Sequence, residues 1–325
     1  MADSEDGLIH AFVLDGNGGA TRLDWGGVKA HWEDDTVVWV HLDYTKDKSR
    51  SWLREESGLD PLTCDSLVST DTRPRCVSVD DGLLINLRGI NHNPGEDPDD
   101  MISLRMWVDH NCLITMRQKK IHAVDEVADM LEKGKAPKNA VGLLLTLAER
   151  LVQGAGQIIS ILDDEIDSLE EEVVSQESRA LRGRIASARR GAIGIRRFLA
   201  PQRDAMSRLM TEYVSWISDR DRIRLREVTD RVTRYVEDLD SIRDRAAVTQ
   251  EELASRLAEQ ANKTMYVLAV ITGVFLPLGL LTGLLGINVG GMPGVDSPIA
   301  FWVVCGILLF LTIIEVILLR KNRWL

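Results

Sequence analysis

The chain changes character three times along its length. Up to about residue 135, short runs rich in β-branched and aromatic side chains alternate with short amphipathic stretches. Ile9–Leu14, Thr36–Leu42, Arg75–Val79, Leu83–Leu87, Ile102–Val108 and Cys112–Met116 predict strands. Helices are predicted around Trp52–Glu56, Leu62–Ser69 and Ala123–Leu131. Asn91–Pro98 (NHNPGEDP) has the composition of a turn or loop. No internal repeat is evident, and residues 1–135 read as one α+β domain.

From Asn139 to Lys263 there is a single proline, Pro201, and charged residues alternate with apolar ones, which predicts long helices over residues 136–264. Val228, Val232, Tyr235, Leu239, Ile242, Ala246, Thr249 and Leu253 recur at alternating steps of four and three, a heptad-like stripe suited to packing on neighbouring helices. Ser218 with Asp221 forms a capping pair that starts this helix. No breaker separates the stripe from the apolar run at Met265, so one helix of about 95 Å is expected from Arg222 to Leu285, stalk and membrane segment forming a single rod.

Residues 265–325 are apolar. Met265–Leu285 carries no charge, and Ile299–Leu319 carries only Glu315. Each run is long enough to cross a hydrocarbon core of roughly 30 Å as a helix. Arg320, Lys321 and Arg323 crowd the end of the second span, whereas the loop 286–298 has no Lys or Arg. Positive residues stay on the cytoplasmic side, so both termini are expected inside and the loop outside. Trp302 and Trp324 sit where interfacial aromatic anchors belong.

Charge sharpens this picture. The net charge is −11, and because residues beyond 264 sum to +1, the first 264 carry −12. That argues against nucleic acid as a partner and suits a domain bathed in small cations. The acidic, non-apolar start (MADSEDGLIH) lacks a signal-peptide pattern, placing the large first part in the cytoplasm. Cys64, Cys76, Cys112 and Cys305 form no CxxC, and the six histidines form no HExxH. Neither a disulfide framework, a soft zinc cage nor an enzyme active site is indicated.

Two helices cannot enclose a wet path, so a transporter of this design needs several copies around an axis. Asn262, Met265, Ala269, Thr272, Leu276, Gly279 and Gly283 share one face of the first span. Small and weakly polar positions alternating with Met265 and Leu276 suit hydrated ions and apolar gating rings. The same pattern also fits close helix packing. Pro277 removes a backbone hydrogen bond in mid-span. Glu315 either faces a pathway or, nearer the membrane edge, reaches toward the basic tail. The acidic run Asp163–Glu172 and the Arg-rich run Arg182–Arg197 read first as solvated helix faces and second as a collar gathering divalent cations.

The segment after the first span, GLLGINVGGMPG at 283–294, places Gly286, Gly290 and Gly291 within six residues and leaves Asn288 as its one polar side chain. A ring of Asn carboxamides can hydrogen-bond a metal's bound waters, although an Asn here is also an ordinary turn former. GIN at Gly286, Ile287 and Asn288, followed by MPG at 292–294, resembles the signature of the CorA superfamily of divalent-cation transporters. The GIN variant, with TRPR (72–75), LRGIN (87–91) and DMISLRMW (100–107), is similar to the ZntB-type zinc transporter branch.

The resemblance implies a funnel-shaped homopentamer in a bacterial cytoplasmic (inner) membrane, with the first span lining the pore and the second forming an outer ring. Asn288 would hold a hydrated cation at the outer entrance. Asn262 would be the inner polar pore position, and Arg320, Lys321 and Arg323 a basic ring at the cytoplasmic face. It implies Zn2+ as the transported ion, with Co2+, Ni2+, Cd2+ or Mg2+ as alternatives, no cofactor, and uptake coupled to protons. Ile287 replaces the commoner Met, and Gly294 stands where magnesium-type members carry Glu, which leaves Asp296 as the loop's one acid. The rivals are a Mg2+, Co2+ or Ni2+ channel of the same superfamily and a membrane-anchored coiled-coil scaffold that transports nothing.

Overall fold

The computed structural model describes residues 6–34, 36–70, 73–175, 179–212, 214–286, 294 and 297–321. The chain divides into two compact units, Met1–Gln250 and Glu251–Leu325.

In the first unit a seven-stranded sheet is built from β1 (Leu8–Leu14), β2 (Ala20–Arg22), β3 (Val37–Asp43), β4 (Arg75–Val79), β5 (Gly82–Gly89), β6 (Ile102–Val108) and β7 (Cys112–Arg117). Its order is β2-β1-β3-β7-β6-β5-β4. Only β3 and β7 run parallel; the other pairs are antiparallel. Alternate side chains along each strand feed two cores, as the two-residue period of a strand requires. One face packs Leu83, Ile85, Leu104, Met106 and Leu113 against α4 (His122–Glu132), α5 (Ala140–Ser175) and α6 (Arg179–Thr211). The other packs Val40, Leu42, Leu84, Trp107, Ile114 and Met116 against α1 (Trp25–His31), α2 (Asp47–Glu55) and α3 (Pro61–Val68). The result is a sheet covered on both faces by helices.

The strands predicted at Arg75–Val79 and Ile102–Val108 form over those residues, and the other four differ at their ends by a residue or two. β2 and α1 were not expected. β2 is only three residues long. α1 contains Gly26 and Gly27, which disfavour a helix. It forms because Asp24 accepts a hydrogen bond from Gly27 N (2.8 Å) and Val28 is fully buried in the second core. α3 follows the same logic more visibly: Asp60 accepts from Leu62 N and Thr63 N, with Pro61 in the first turn.

Asp125 of α4 anchors that helix to the sheet. Its Oδ1 lies 3.2 Å from His10 Nε2 of β1, and its Oδ2 lies 3.2 Å from Lys120 Nζ. Burial works to raise its pKa, but hydrogen bonds from His10 and Lys120 prevail and hold it at about 2, below the ordinary 3.8. A carboxyl depressed by folding stabilises fully above about pH 4 and loses that contribution as the pH falls toward 2. Asp125→Asn is expected to cost about 2 kcal/mol at neutral pH and to remove this acid-sensitive part, measured by urea unfolding at pH 7 and at pH 3.

The long helical region forms as expected. α7 covers Asp219–Leu285, starting three residues before the predicted Arg222. The capping pair is reciprocal: Ser218 Oγ accepts from Asp221 N (3.3 Å), and Asp221 Oδ2 accepts from Ser218 N (3.3 Å) and Ser218 Oγ (2.5 Å). In the stripe, Val228, Val232, Leu239, Ile242, Ala246, Thr249 and Leu253 are buried, and Tyr235 is half-buried.

The acidic and basic runs do more than face solvent. Arg184 of α6 pairs with Glu165 (2.9 Å) and Glu172 (2.7 Å) of α5. Arg245 of α7 reaches Asp163 (2.9 Å), Glu170 (2.8 Å) and Asp167 of the same run. Five of the seven acids in the run thus clamp helices together through two arginines, and the run keeps a net negative charge. Arg245→Ala leaves three carboxylates unbridged. It should destabilise the first unit by roughly 1–2 kcal/mol at low ionic strength and less at high salt, read from thermal midpoints in both conditions.

Candidate ion pathway

In the second unit, the end of α7 and the whole of α8 (Ala300–Lys321) are long and apolar enough to cross a membrane. Neither apolar stretch is buried within the chain. A soluble core helix of this composition would be covered on most sides, so these segments need another apolar medium.

The predicted lining residues are brought onto one uncovered face. Asn262, Met265, Ala269, Thr272, Leu276, Gly279 and Gly283 are all exposed, Met265 at 60% and Leu276 at 69%. On the same helix Val270, Val274, Leu278 and Leu281 are partly covered. At about 100° per residue, that second stripe lies on the opposite side of the helix from the first. α7 thus has a back that its own chain partly covers and a front that nothing described in the chain covers. The front was expected from the sequence. The back was not, although its steps of four and three were there to be read.

The front is chemically mild. A Cβ built on Gly279 or Gly283 meets open space in the single chain. Thr272 Oγ1 donates to Leu268 O (2.8 Å), so its proton is spent within the helix while its lone pairs stay available to a donor such as a metal-bound water. α7 runs through Pro277 without ending. It ends at Leu285, and the N–H of the following Gly286 donates to Thr282 O (2.9 Å) and Gly283 O (3.2 Å). Ile287 and Asn288, the remainder of the predicted entrance, lie outside the described residues, as does Arg323 of the predicted basic ring. Arg320 and Lys321 occupy the last turn of α8, both exposed. There their charge complements the helix dipole. Glu315 is half-covered, and its Oε2 is buried without a hydrogen-bond partner among the described residues.

Soft ligands are scarce along this route. The only Cys or His in the two spans is Cys305. In the first unit, burial raises the thiol pKa of Cys64, pushes that of Cys76 up to about 12, and holds that of Cys112 well above its ordinary value. Thiols held protonated in this way are poor metal ligands. Among the described residues, no group of three or more His, Cys, Asp or Glu is placed to hold a metal ion.

Comparison with known proteins agrees with this architecture over nearly the whole chain. A family profile described as CorA-like Mg2+ transporter protein matches residues 34–321. The divalent cation transporter CmaX of Pseudomonas aeruginosa is 39% identical over 324 residues, covering 99% of this chain and 98% of CmaX. The zinc transport protein ZntB of Yersinia enterocolitica is 34% identical over 317 residues, covering 98% and 96%. The structure of full-length CmaX superposes with a TM-score of 0.87 at 38% identity, covering 100% of both chains. The complete CorA magnesium transporter of Methanocaldococcus jannaschii shares the fold, with a TM-score of 0.80 at 20% identity, covering 98% of this chain and 99% of that one. With the long helix, the two apolar C-terminal helices and the sheet domain all matched, the chain belongs to the family of CorA-like Mg2+ transporters.

Proposed function

We propose that this chain carries divalent cations, Zn2+ foremost, across the cytoplasmic membrane along an axis shared by five identical copies. Transport of divalent cations, without enzymatic chemistry, follows from the family. The observation that carries the proposal further is the uncovered front of α7, set directly opposite its partly covered back. Copies arranged around an axis would turn the small, weakly polar positions Ala269, Thr272, Gly279 and Gly283 toward a wet lumen. Met265 and Leu276 would contribute apolar constrictions. Asn262 would stand at the inner end and Asn288 at the outer rim.

Zinc is favoured by the relatives named ZntB and by the Gly286–Ile287–Asn288 variant of the signature. A second reading, Mg2+ or Co2+, has its own support. Apart from the Met265 thioether the lining offers only oxygen acceptors, with no thiolate or imidazole, so the ion would pass with its water shell largely intact, as Mg2+ prefers. In both readings outer-sphere recognition replaces direct ligation.

The test is flux into liposomes carrying the reconstituted protein and a metal-sensitive dye, with and without an inward proton gradient. Zn2+ entry that rises with the gradient is the expected result. Mg2+ entry exceeding Zn2+ entry and indifferent to the gradient would move the assignment to the second reading. No flux of any metal would return the chain to the scaffold reading.

A further inference from the structure

The sheet domain holds a polar centre that ion transport does not use. β5 and β6 pair antiparallel, with Asn86 opposite Arg105 and Arg88 opposite Ser103 on adjacent rungs of one face. The neighbouring part of that face is apolar, with Leu84 and Trp107 in the core against α2 and α3. Where the polar rungs begin, the core gives way to a cavity of about 370 Å3, lined among others by Arg88, Ser103, Arg105, Lys119, Thr70 and Tyr44. This volume is in the range of small-molecule sites.

Arg105 is the decisive residue. It is 3% exposed, so its charge is almost entirely removed from water. Its guanidinium lies 3.9 Å over the Tyr44 ring, and Nη2 donates to Ser69 O (2.7 Å). Nε and Nη1 are buried and donate to nothing among the described residues. The Ser103 hydroxyl, two residues away on the same strand face, is also buried without a partner among them. A buried guanidinium with unmade hydrogen bonds is costly, and a neutral ligand would not offset its charge. Arg88 adds a second cation, held by Met101 O and stacked 4.2 Å from the Phe198 ring of α6. Lys119 adds a third at the rim, paired with Glu96 (2.7 Å to each oxygen). Asp100 is the one acid among the lining residues described.

We infer that this cavity binds a small soluble molecule through a phosphoryl group. The unpartnered Nε and Nη1 of Arg105, the Arg88 cation beside it, and the hydroxyls of Ser103 and Thr70 exceed what one carboxylate can accept. A phosphoryl group offers three acceptor oxygens and a negative charge opposite in sign to Arg105 and Arg88. The remaining volume leaves room for the organic part of a phosphorylated metabolite. The site lies within the first unit and stands independently of which metal the chain transports.

Binding to the full-length protein in detergent micelles, free of added metal, tests this by titration calorimetry with inorganic phosphate and with AMP. Both should bind saturably and compete for one site. Arg105→Gln should weaken both by at least about tenfold, the scale of a lost charge-assisted contact. Ser103→Ala, a smaller change at a partly covered position, should weaken both several-fold and leave the ligand-free unfolding midpoint in place. Arg105→Lys should recover part of the affinity. Absence of saturable binding by either probe, or unchanged binding in both Arg105→Gln and Ser103→Ala, would overturn the site. Acetate or citrate binding as tightly as phosphate would overturn the phosphoryl assignment.

Discussion

Liposomes carrying Asn288→Ala should take up Zn2+ about 10- to 100-fold more slowly than those carrying the unchanged chain, with the sheet domain and oligomer intact. In the sequence, Asn288 is the one polar side chain between Gly283 and Gly294. If copies surround an axis, it is the group that can meet the ion's water shell at the outer mouth. A carboxamide supplies a neutral oxygen and an N–H pair, enough to order bound waters without stripping them. Alanine supplies neither. The same substitution should leave thermal unfolding of the first unit unchanged, because no element of that unit includes residue 288. Flux equal to that of the unchanged chain would remove the carboxamide ring from the account and leave Thr272 and Asn262 as the polar groups of the path.

The second large effect is steric. Gly279→Leu is expected to lower flux by about tenfold or more, with assembly retained, because each added side chain is multiplied around the axis. Gly306→Leu on α8 provides the contrast. A Cβ at Gly306 also meets open space in the single chain, yet α8 is assigned to the outer ring, where a leucine faces lipid. The chain alone does not distinguish these two glycines; the proposed shared axis would. Similar flux losses from both substitutions would mean that the helices were generally perturbed, and the lining assignment would lose this support.

Much of the architecture could be read because its causes are local. β4 and β6 announce themselves by β-branched and aromatic runs, and α7 by a stripe with a Ser218–Asp221 cap at its start. α1 could not be read, since Gly26 and Gly27 speak against a helix and only the burial of Val28 and the Asp24 cap reverse that preference. The clamp at Arg245 was hidden for a different reason. Its partners Asp163, Asp167 and Glu170 stand 75 to 82 residues earlier, so the acidic run looked like a free surface until α5 and α7 were laid together. α7 shows both cases. That Asn262 to Gly283 share one helix face was legible from their spacing, whereas the half-covered back depends on contacts that a periodicity alone does not rank. The polar rungs Asn86–Arg105 and Arg88–Ser103 belong with the hidden features. Nothing in either strand's own sequence says that the two will be aligned.

The central claim is that one side of α7 faces water along a shared axis and the other does not. Cysteine accessibility measures this directly, in a Cys305→Ser background that removes the one thiol native to the spans. Thr272→Cys and Gly279→Cys should each give transporters whose Zn2+ flux is stopped by a small, charged, thiol-specific reagent. Val274→Cys and Leu278→Cys, on the opposite side of the same helix, should keep their flux under the same treatment. Block at Val274→Cys and Leu278→Cys, with Thr272→Cys and Gly279→Cys insensitive, would contradict the account.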